Sequence, residues 1–269
     1  MSEITEKKLK NLKKRIDKLE SAVIAFSGGC DSSFLAKVAY DVLGDKAIAI
    51  TANSELYANS EVEDSKKVAS EIGIKHEIIS SSELNVPGFR DNPPERCYYC
   101  KKELFSELLD IARKRKFNYV LDGSNSDDGD DYRPGMKAGK ELKIRSPLRE
   151  AGLTKKEIRQ LSRRIGLSTA DKPAMACLAS RFPYGSKISV VALNRIEKSE
   201  QFLRGLGFTQ LRVRHHNDIA RIEVLPEDIE ALLKNNLRKK ILTEFKSLGY
   251  KYVTLDLEGY RTGSMNEVL

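Results

Sequence analysis

No apolar run in the chain approaches the about 20 residues that a helix needs to cross a bilayer. The opening stretch, MSEITEKKLKNLKKRIDKLE, lacks the apolar core of a secretory signal. The expectation is therefore a soluble, cytoplasmic protein with no membrane partner. No repeat at solenoid spacing and no low-complexity tract is present, which sets aside repeat architectures and disordered linkers. Cysteine and histidine are sparse, with 4 and 3 among 269 residues. Four cysteines in a cytosolic chain do not build a disulfide scaffold, so each is a candidate for burial, catalysis or metal binding.

What is present suits a globular protein. Hydrophobic residues make up 40%, enough for a core, and the 32% charged residues are interspersed. The length allows one large α/β domain, or one of ordinary size with a small companion. The net charge of +8 and pI of 9.1 favour anionic partners such as nucleotides, phosphorylated small molecules or RNA, without choosing among them. The lysine-dense stretch 7–18 carries Leu9, Leu12, Ile16 and Leu19 at helical spacing. That pattern predicts an amphipathic helix with a solvated basic face and not a nucleic-acid arm.

Apolar strand-like runs at 22–26, 47–51, 76–80 and 119–122 alternate with helical patterns at 31–43, 60–72 and 101–116. The alternation predicts a parallel sheet with helices on both faces, whose ligands bind beyond the carboxyl ends of the strands. Residues 123–150 are polar and turn-rich and are expected to be irregular, as is the stretch after the helix at 154–165. Thr154 and Glu157 have capping-box spacing at the start of that helix. Beyond about residue 187 the order becomes helix, two strands (211–215 and 219–224), two helices and a strand (252–257). The expected organisation is an α/β domain over 1–185 and a smaller α+β domain over 186–269.

Between the first strand and the first helix lies Ser27-Gly28-Gly29-Cys30-Asp31-Ser32-Ser33. The glycines permit close backbone approach to an anion, the helix start offers unpaired N–H groups, and three serines add hydroxyl donors. The reading is a pyrophosphate cradle. It is not a Walker A loop, because the Gly-Lys-Ser/Thr ending is missing. Cys30 reads as a small filler of the loop, without chemistry.

SGGCDSS resembles the PP-loop of the N-type ATP pyrophosphatases, among them GMP, NAD and argininosuccinate synthetases and the tRNA thiolases. The further stretches LDGSNSDDGDDYRPG (121–135), SPL (146–148), ACLASRFPYG (176–185), LRVRHH (211–216) and ARIEV (220–224) together resemble the LarE family of sulfur transferases. That family makes the nickel-pincer nucleotide cofactor of lactate racemase, and the likeness spans nearly the whole chain. It implies a PP-loop fold that uses ATP and Mg2+ to adenylate a carboxylate of pyridinium-3,5-biscarboxylic acid mononucleotide, and sulfur that then replaces the activated oxygen. The nucleotide-binding set it implies is Ser27, Gly28, Gly29, Asp31, Ser32, Ser33, Thr51, Ser124, Asn125 and Asp128, with Asp31 helping to hold magnesium and Ser33 contacting phosphate.

Cys97-Tyr98-Tyr99-Cys100 is expected just before the helix starting near Lys101, and Cys177 stands far away in the ACLASR stretch. The residues alone leave four readings open: a redox disulfide, part of a structural zinc site, a lone sulfur donor at Cys177, or an iron–sulfur cluster with one iron left open. In the better-known form of the family a single cysteine, matching Cys177, surrenders its sulfur and becomes dehydroalanine. Cys97 and Cys100 depart from that form and resemble a three-cysteine form. The expectation is a 4Fe–4S cluster on Cys97, Cys100 and Cys177 that delivers an added sulfide, with sacrifice of Cys177 as the alternative.

Arg212 and Arg214 lie two apart in an alternating strand, about 7 Å apart on one sheet face. Spacing alone predicts solvent-facing arginines, paired with Glu223 on the neighbouring strand. The resemblance implies instead that both hold the substrate phosphate, that Glu200 and Glu223 line a metal-binding pocket on the substrate side, and that Ser180 and Arg181 complete the catalytic set with Asp31 and Cys177. The partners expected are the phosphorylated pyridinium dicarboxylate, sulfide or another sulfur donor, and further copies of this chain in a homo-oligomer. A tRNA thiolase is the runner-up; nucleic acid is not expected, because the chain shows no added RNA-binding domain.

Overall fold

The computed structural model describes residues 2–130, 134–173, 176–261 and 263–268, with side chains left aside at 129 and 130. Part of the 121–135 motif and the pair at 174–175 lie outside the described residues. The chain separates into two compact units, 1–83 with 95–175, and 84–94 with 176–269. No described helix is long and apolar enough to cross a membrane.

The first unit runs α1 (Glu3–Asp17), β1 (Ala22–Ala25), α2 (Cys30–Leu43), β2 (Ala47–Asn53), α3 (Asn59–Ile72), β3 (Lys75–Ser80), α4 (Arg96–Lys114), β4 (Tyr119–Leu121), α5 (Gly135–Glu141), α6 (Pro147–Glu150) and α7 (Lys155–Arg164). Among the described residues its sheet is parallel throughout, in the order β3-β2-β1-β4. Strand β1 is apolar at every position because both its faces are covered. Ala22 and Ile24 join the core built with α1, α2 and α7, while Val23 joins Leu104, Phe105 and Leu108 of α4 in the core on the other face. In α1, Leu9, Leu12 and Ile16 are buried and the lysines between them are solvated, as the periodicity predicts.

Two expectations need correction. Helix α4 begins at Arg96, so Cys97 lies in its first turn and Cys100 at the start of its second, instead of preceding it. The Tyr98 amide already donates to the Glu95 carbonyl at 2.8 Å, and the buried stripe of Leu104, Phe105 and Leu108 anchors the helix, outweighing the middling helix propensity of Cys and Tyr. The stretch 123–150 is not irregular throughout, because it contains α5 and α6. Helix α5 forms despite its polar composition: it packs against α4, with Ala138 buried and Gly139 close to the Phe105 ring.

The second unit contains α8 (Val190–Gly205), β5 (Leu211–His216), β6 (Ile219–Val224), α9 (Ile229–Leu233), α10 (Asn235–Ser247) and β7 (Tyr252–Leu255). Its sheet has the order β5-β6-β7, antiparallel then parallel. Leu211, Val213, Ile222 and Val224 meet Phe245 and Tyr250 in its core.

Candidate functional site

In the first unit the order β3-β2-β1-β4 reverses direction at β1, so a crevice opens beyond the carboxyl ends of β1 and β4. Residues 27–29 turn there from β1 into α2. Gly28 has φ +65°, and a Cβ on it would lie 3.0 Å from the Ser65 Cα, so both its backbone and its surroundings demand glycine. Gly29 is the N-cap of α2 and has no side chain with which to cap it, which leaves first-turn amides for an anion. The loop from β4 comes close as well, since a Cβ on Gly123 would stand 3.1 Å from the Ser32 amide.

The side chains of the loop are partly committed. Ser27 Oγ and Ser32 Oγ are 3.1 Å apart, and Ser32 Oγ donates to the Gly29 carbonyl at 3.2 Å. By contrast, Ser33 Oγ and Asp31 Oδ1 are buried with no hydrogen-bond partner among the described residues. Buried polar atoms are normally paired, so each of these two orphans in the first turn of α2 is open to a ligand group. The other oxygen, Asp31 Oδ2, accepts from Lys155 Nζ at 2.7 Å. Lys172 Nζ sits 3.0 Å from Asp64 and 3.4 Å from the Gly28 carbonyl. Arg159 fixes the segment bearing that lysine by donating to the carbonyls of Ala170 and Lys172 at 2.7 and 2.9 Å. Burial pushes the Cys30 thiol up, and its sulfur lies against the Ala170 carbonyl, in keeping with a filler of the loop.

The remaining nucleotide-set residues are ordered by local bonds. Thr51 donates to the Phe26 carbonyl at 2.7 Å and therefore accepts from His76 Nε2 at 2.8 Å, which fixes the His76 tautomer. Burial lowers the His76 pKa and keeps the ring neutral. Ser124 caps Asp122, the Asn125 amide donates to Asp128, and the amide of Lys155 donates to Asp127 at 2.8 Å. Lys155 and Lys172 were not foreseen. The one signal for Lys155 is a cation at a helix start, where the dipole prefers an anion; Lys172 has no local signal.

None of the four cysteines is in a disulfide. Cys97, exposed, and Cys100, half-buried, are three residues apart near the start of α4 and so share a helix face. Cys177 belongs to the second unit. Among the described residues no group of three or more His, Cys, Asp or Glu side chains is gathered as for a metal ion.

In the second unit Arg181 is 2% exposed and grips Glu200 through Nε and Nη2 at 2.8 and 2.9 Å. Its Nη1 donates to the carbonyls of Ala176 and Cys177 at 2.6 and 3.0 Å and to Ser180 Oγ at 3.0 Å, so one guanidinium shapes the turn that carries Cys177. Arg214 grips Glu223 in the same two-pronged way, at 2.9 and 2.7 Å, and donates to the Ser180 carbonyl. Arg212 is also buried, with its guanidinium 5.1 Å over the Tyr260 ring. The solvent-facing arginines that spacing predicts are thus buried ones, because the strand face opposite Leu211 and Val213 is covered too. Both carboxylates are held by arginines: Glu200 also accepts from Arg204 and from the Val213 amide, and Glu223 from Arg221. Burial would raise the Glu200 carboxyl, but the charge and hydrogen bonds of Arg181, with Arg204 and Arg212, hold it below its ordinary value. Arg181, Arg204, Arg212, Arg214 and Arg221 face Glu200, Glu223 and Asp256, an excess of positive charge suited to an anion.

The profile of the NAD synthase family matches residues 4–87, the part holding the glycine loop and its flanking strands. An uncharacterized protein of Synechocystis sp., slr1717, is 48% identical over 264 residues, 98% of each chain. The pyridinium-3,5-bisthiocarboxylic acid mononucleotide synthase of Lactiplantibacillus plantarum is 41% identical over 252 residues, covering 93% of this chain and 91% of its own. The tRNA-specific 2-thiouridylase MnmA of Rickettsia africae is 28% identical over 222 residues, 68% of this chain and 60% of its own. An identity of 41% over nearly the full length of both chains, on a parallel sheet with the glycine loop after its first strand, means that this chain belongs to the LarE family of PP-loop proteins.

Proposed function

We propose that this protein is an ATP-dependent sulfur transferase that converts a carboxylate of a phosphorylated pyridinium dicarboxylate into a thiocarboxylate. The reading rests on the family, together with one observation: Ser33 Oγ and Asp31 Oδ1, in the first turn of α2, are buried without hydrogen-bond partners among the described residues. A carboxylate is a poor electrophile. In the first half-reaction its oxygen attacks the α-phosphorus of ATP, the bond to the β-phosphate oxygen breaks, and pyrophosphate leaves. In the second, a sulfide equivalent attacks the acyl carbon, the bond to the AMP oxygen breaks, and the products are thiocarboxylate, AMP and a proton.

The first-turn amides of α2 and the Ser33 hydroxyl donate to the departing pyrophosphate, where negative charge builds up. Asp31 offers an oxygen of the hard kind that magnesium prefers, and the ion would neutralise phosphate charge there. Arg212 and Arg214 hold the substrate's phosphate, and Arg181 fixes the Ser180 and Cys177 turn beside them.

Cys97, Cys100 and Cys177 handle the sulfur. The chemistry of three thiols fits a 4Fe–4S cluster with one open iron, which would supply sulfide. The competing reading is sacrifice of Cys177, which would itself give up the sulfur.

Asp31→Ala should abolish pyrophosphate release while the protein stays folded; ADP and phosphate as wild-type products would refute the reading. Anaerobic purification should give brown protein, whose colour and activity vanish together when any of the three cysteines is replaced. Dehydroalanine at residue 177, found by mass spectrometry in proportion to product, would decide for sacrifice instead. Salt-sensitive tRNA binding that supports thiolation would favour the thiouridylase-like chemistry of the more distant relatives.

A further inference from the structure

We infer that Lys155 is a displaceable counter-ion of the phosphate loop. It neutralises Asp31 while the site is empty, and it moves its ammonium to the pyrophosphate when nucleotide and divalent cation arrive together. The inference rests on the ATP-dependent reading above and adds an order to it: the cation cannot take Asp31 well until a phosphate has taken Lys155.

The observation is an ion pair bridging 124 residues, with Lys155 Nζ 2.7 Å from Asp31 Oδ2 while Asp31 Oδ1 is buried and without a hydrogen-bond partner among the described residues. A divalent cation reaching Asp31 would meet the ammonium at close range, and that like-charge contact opposes metal binding. The pair is cheap to break. Its side chains are 32% and 23% exposed, so water still reaches the pair and screens its attraction.

The base of the lysine, however, is fixed. Lys155 is the first residue of α7, behind a complete capping box of Thr154 and Glu157. Glu157 is in turn held from α1 by Lys8 at 2.8 Å. The backbone is therefore pinned while the four-carbon stem can swing its charge across the loop. A cation at a helix start also opposes the helix dipole. The position gains when pyrophosphate, with several negative charges, takes the place of the singly charged Asp31 carboxylate as the partner of Lys155.

The test measures binding, not turnover. Mn2+ binding to nucleotide-free protein is followed by titration calorimetry or electron paramagnetic resonance, and pyrophosphate and AMP binding by calorimetry. Lys155→Ala should tighten Mn2+ about tenfold and weaken pyrophosphate about ten- to a hundredfold, the range of one charge-assisted hydrogen bond, with AMP affinity unchanged. Lys155→Arg should restore weak Mn2+ binding, and Asp31→Ala combined with Lys155→Ala should abolish the gain. A merely structural bridge would lower or leave unchanged the Mn2+ affinity of Lys155→Ala. That outcome overturns the inference and, with wild-type pyrophosphate binding intact, leaves the functional reading standing. Wild-type protein that binds neither pyrophosphate nor AMP overturns both.

Discussion

Replacing Glu200 with alanine tests the arginine network directly. Glu200 is fully buried and accepts from Arg181 Nε and Nη2, Arg204 Nη2 and the Val213 amide. Arg204 is 34% exposed and can return to water, but Arg181 and the Val213 amide cannot. A buried amide left unpaired costs about 1–3 kcal/mol. Removing one partner of a buried ion pair costs about 3–5 kcal/mol in all, because a charge is stranded. The expected loss for Glu200→Ala is therefore about 3–5 kcal/mol, a large share of ordinary domain stability. Urea denaturation followed by circular dichroism measures it. Replacing both partners, Arg181→Met with Glu200→Leu, should be less damaging than Glu200→Ala alone, because the guanidinium that grips Glu200 with two bonds is removed with it and not left unpaired. The folded-state pKa of Glu200 lies below its ordinary value of 4.5, so its contribution is complete above that pH and is lost as pH falls below it. Glu200→Gln should lack that step. A loss for Glu200→Ala within about 1 kcal/mol, the range of exposed pairs, would refute the argument.

Other outcomes follow from single sites. Gly28→Ala, with φ +65° and Ser65 at 3.0 Å, should reduce both stability and pyrophosphate binding, measured by thermal unfolding and calorimetry. Thr154→Ala removes the cap of α7 and should cost about 1 kcal/mol in urea denaturation. His215 is buried beside Tyr250 and Phe182, and burial, Arg195 and His216 lower its pKa from 6.5 to about 4. The unfolded chain then binds more protons, so stability should fall by about 2–3 kcal/mol as pH drops from 6.5 towards 4, and His215→Phe should flatten that slope in denaturation measured across the range.

The parallel sheet, the glycine turn at 27–29, the capping box of Thr154 and Glu157 and the small second sheet were legible in the chain, because each is written in local periodicity or in residues a few positions apart. Helix α4 was legible only from Lys101 onward. The turn carrying Cys97 and Cys100 is helical because Leu104, Phe105 and Leu108 pack on the sheet, and that contact has no local signature. The burial of Arg212 and Arg214 was likewise invisible to period-two spacing, which assigns a face but not what covers it. Lys155 reaches back 124 residues to Asp31, and Arg181 reaches 19 residues forward to Glu200. Sequence by itself determined the fold and the phosphate turn. The cross-strand pairing of an arginine with Glu223 was legible as well, and Arg214 makes it. Tertiary structure alone decided the pairs between distant segments, such as Lys155 with Asp31 and Arg181 with Glu200, because those distances in space are not encoded in chain separation.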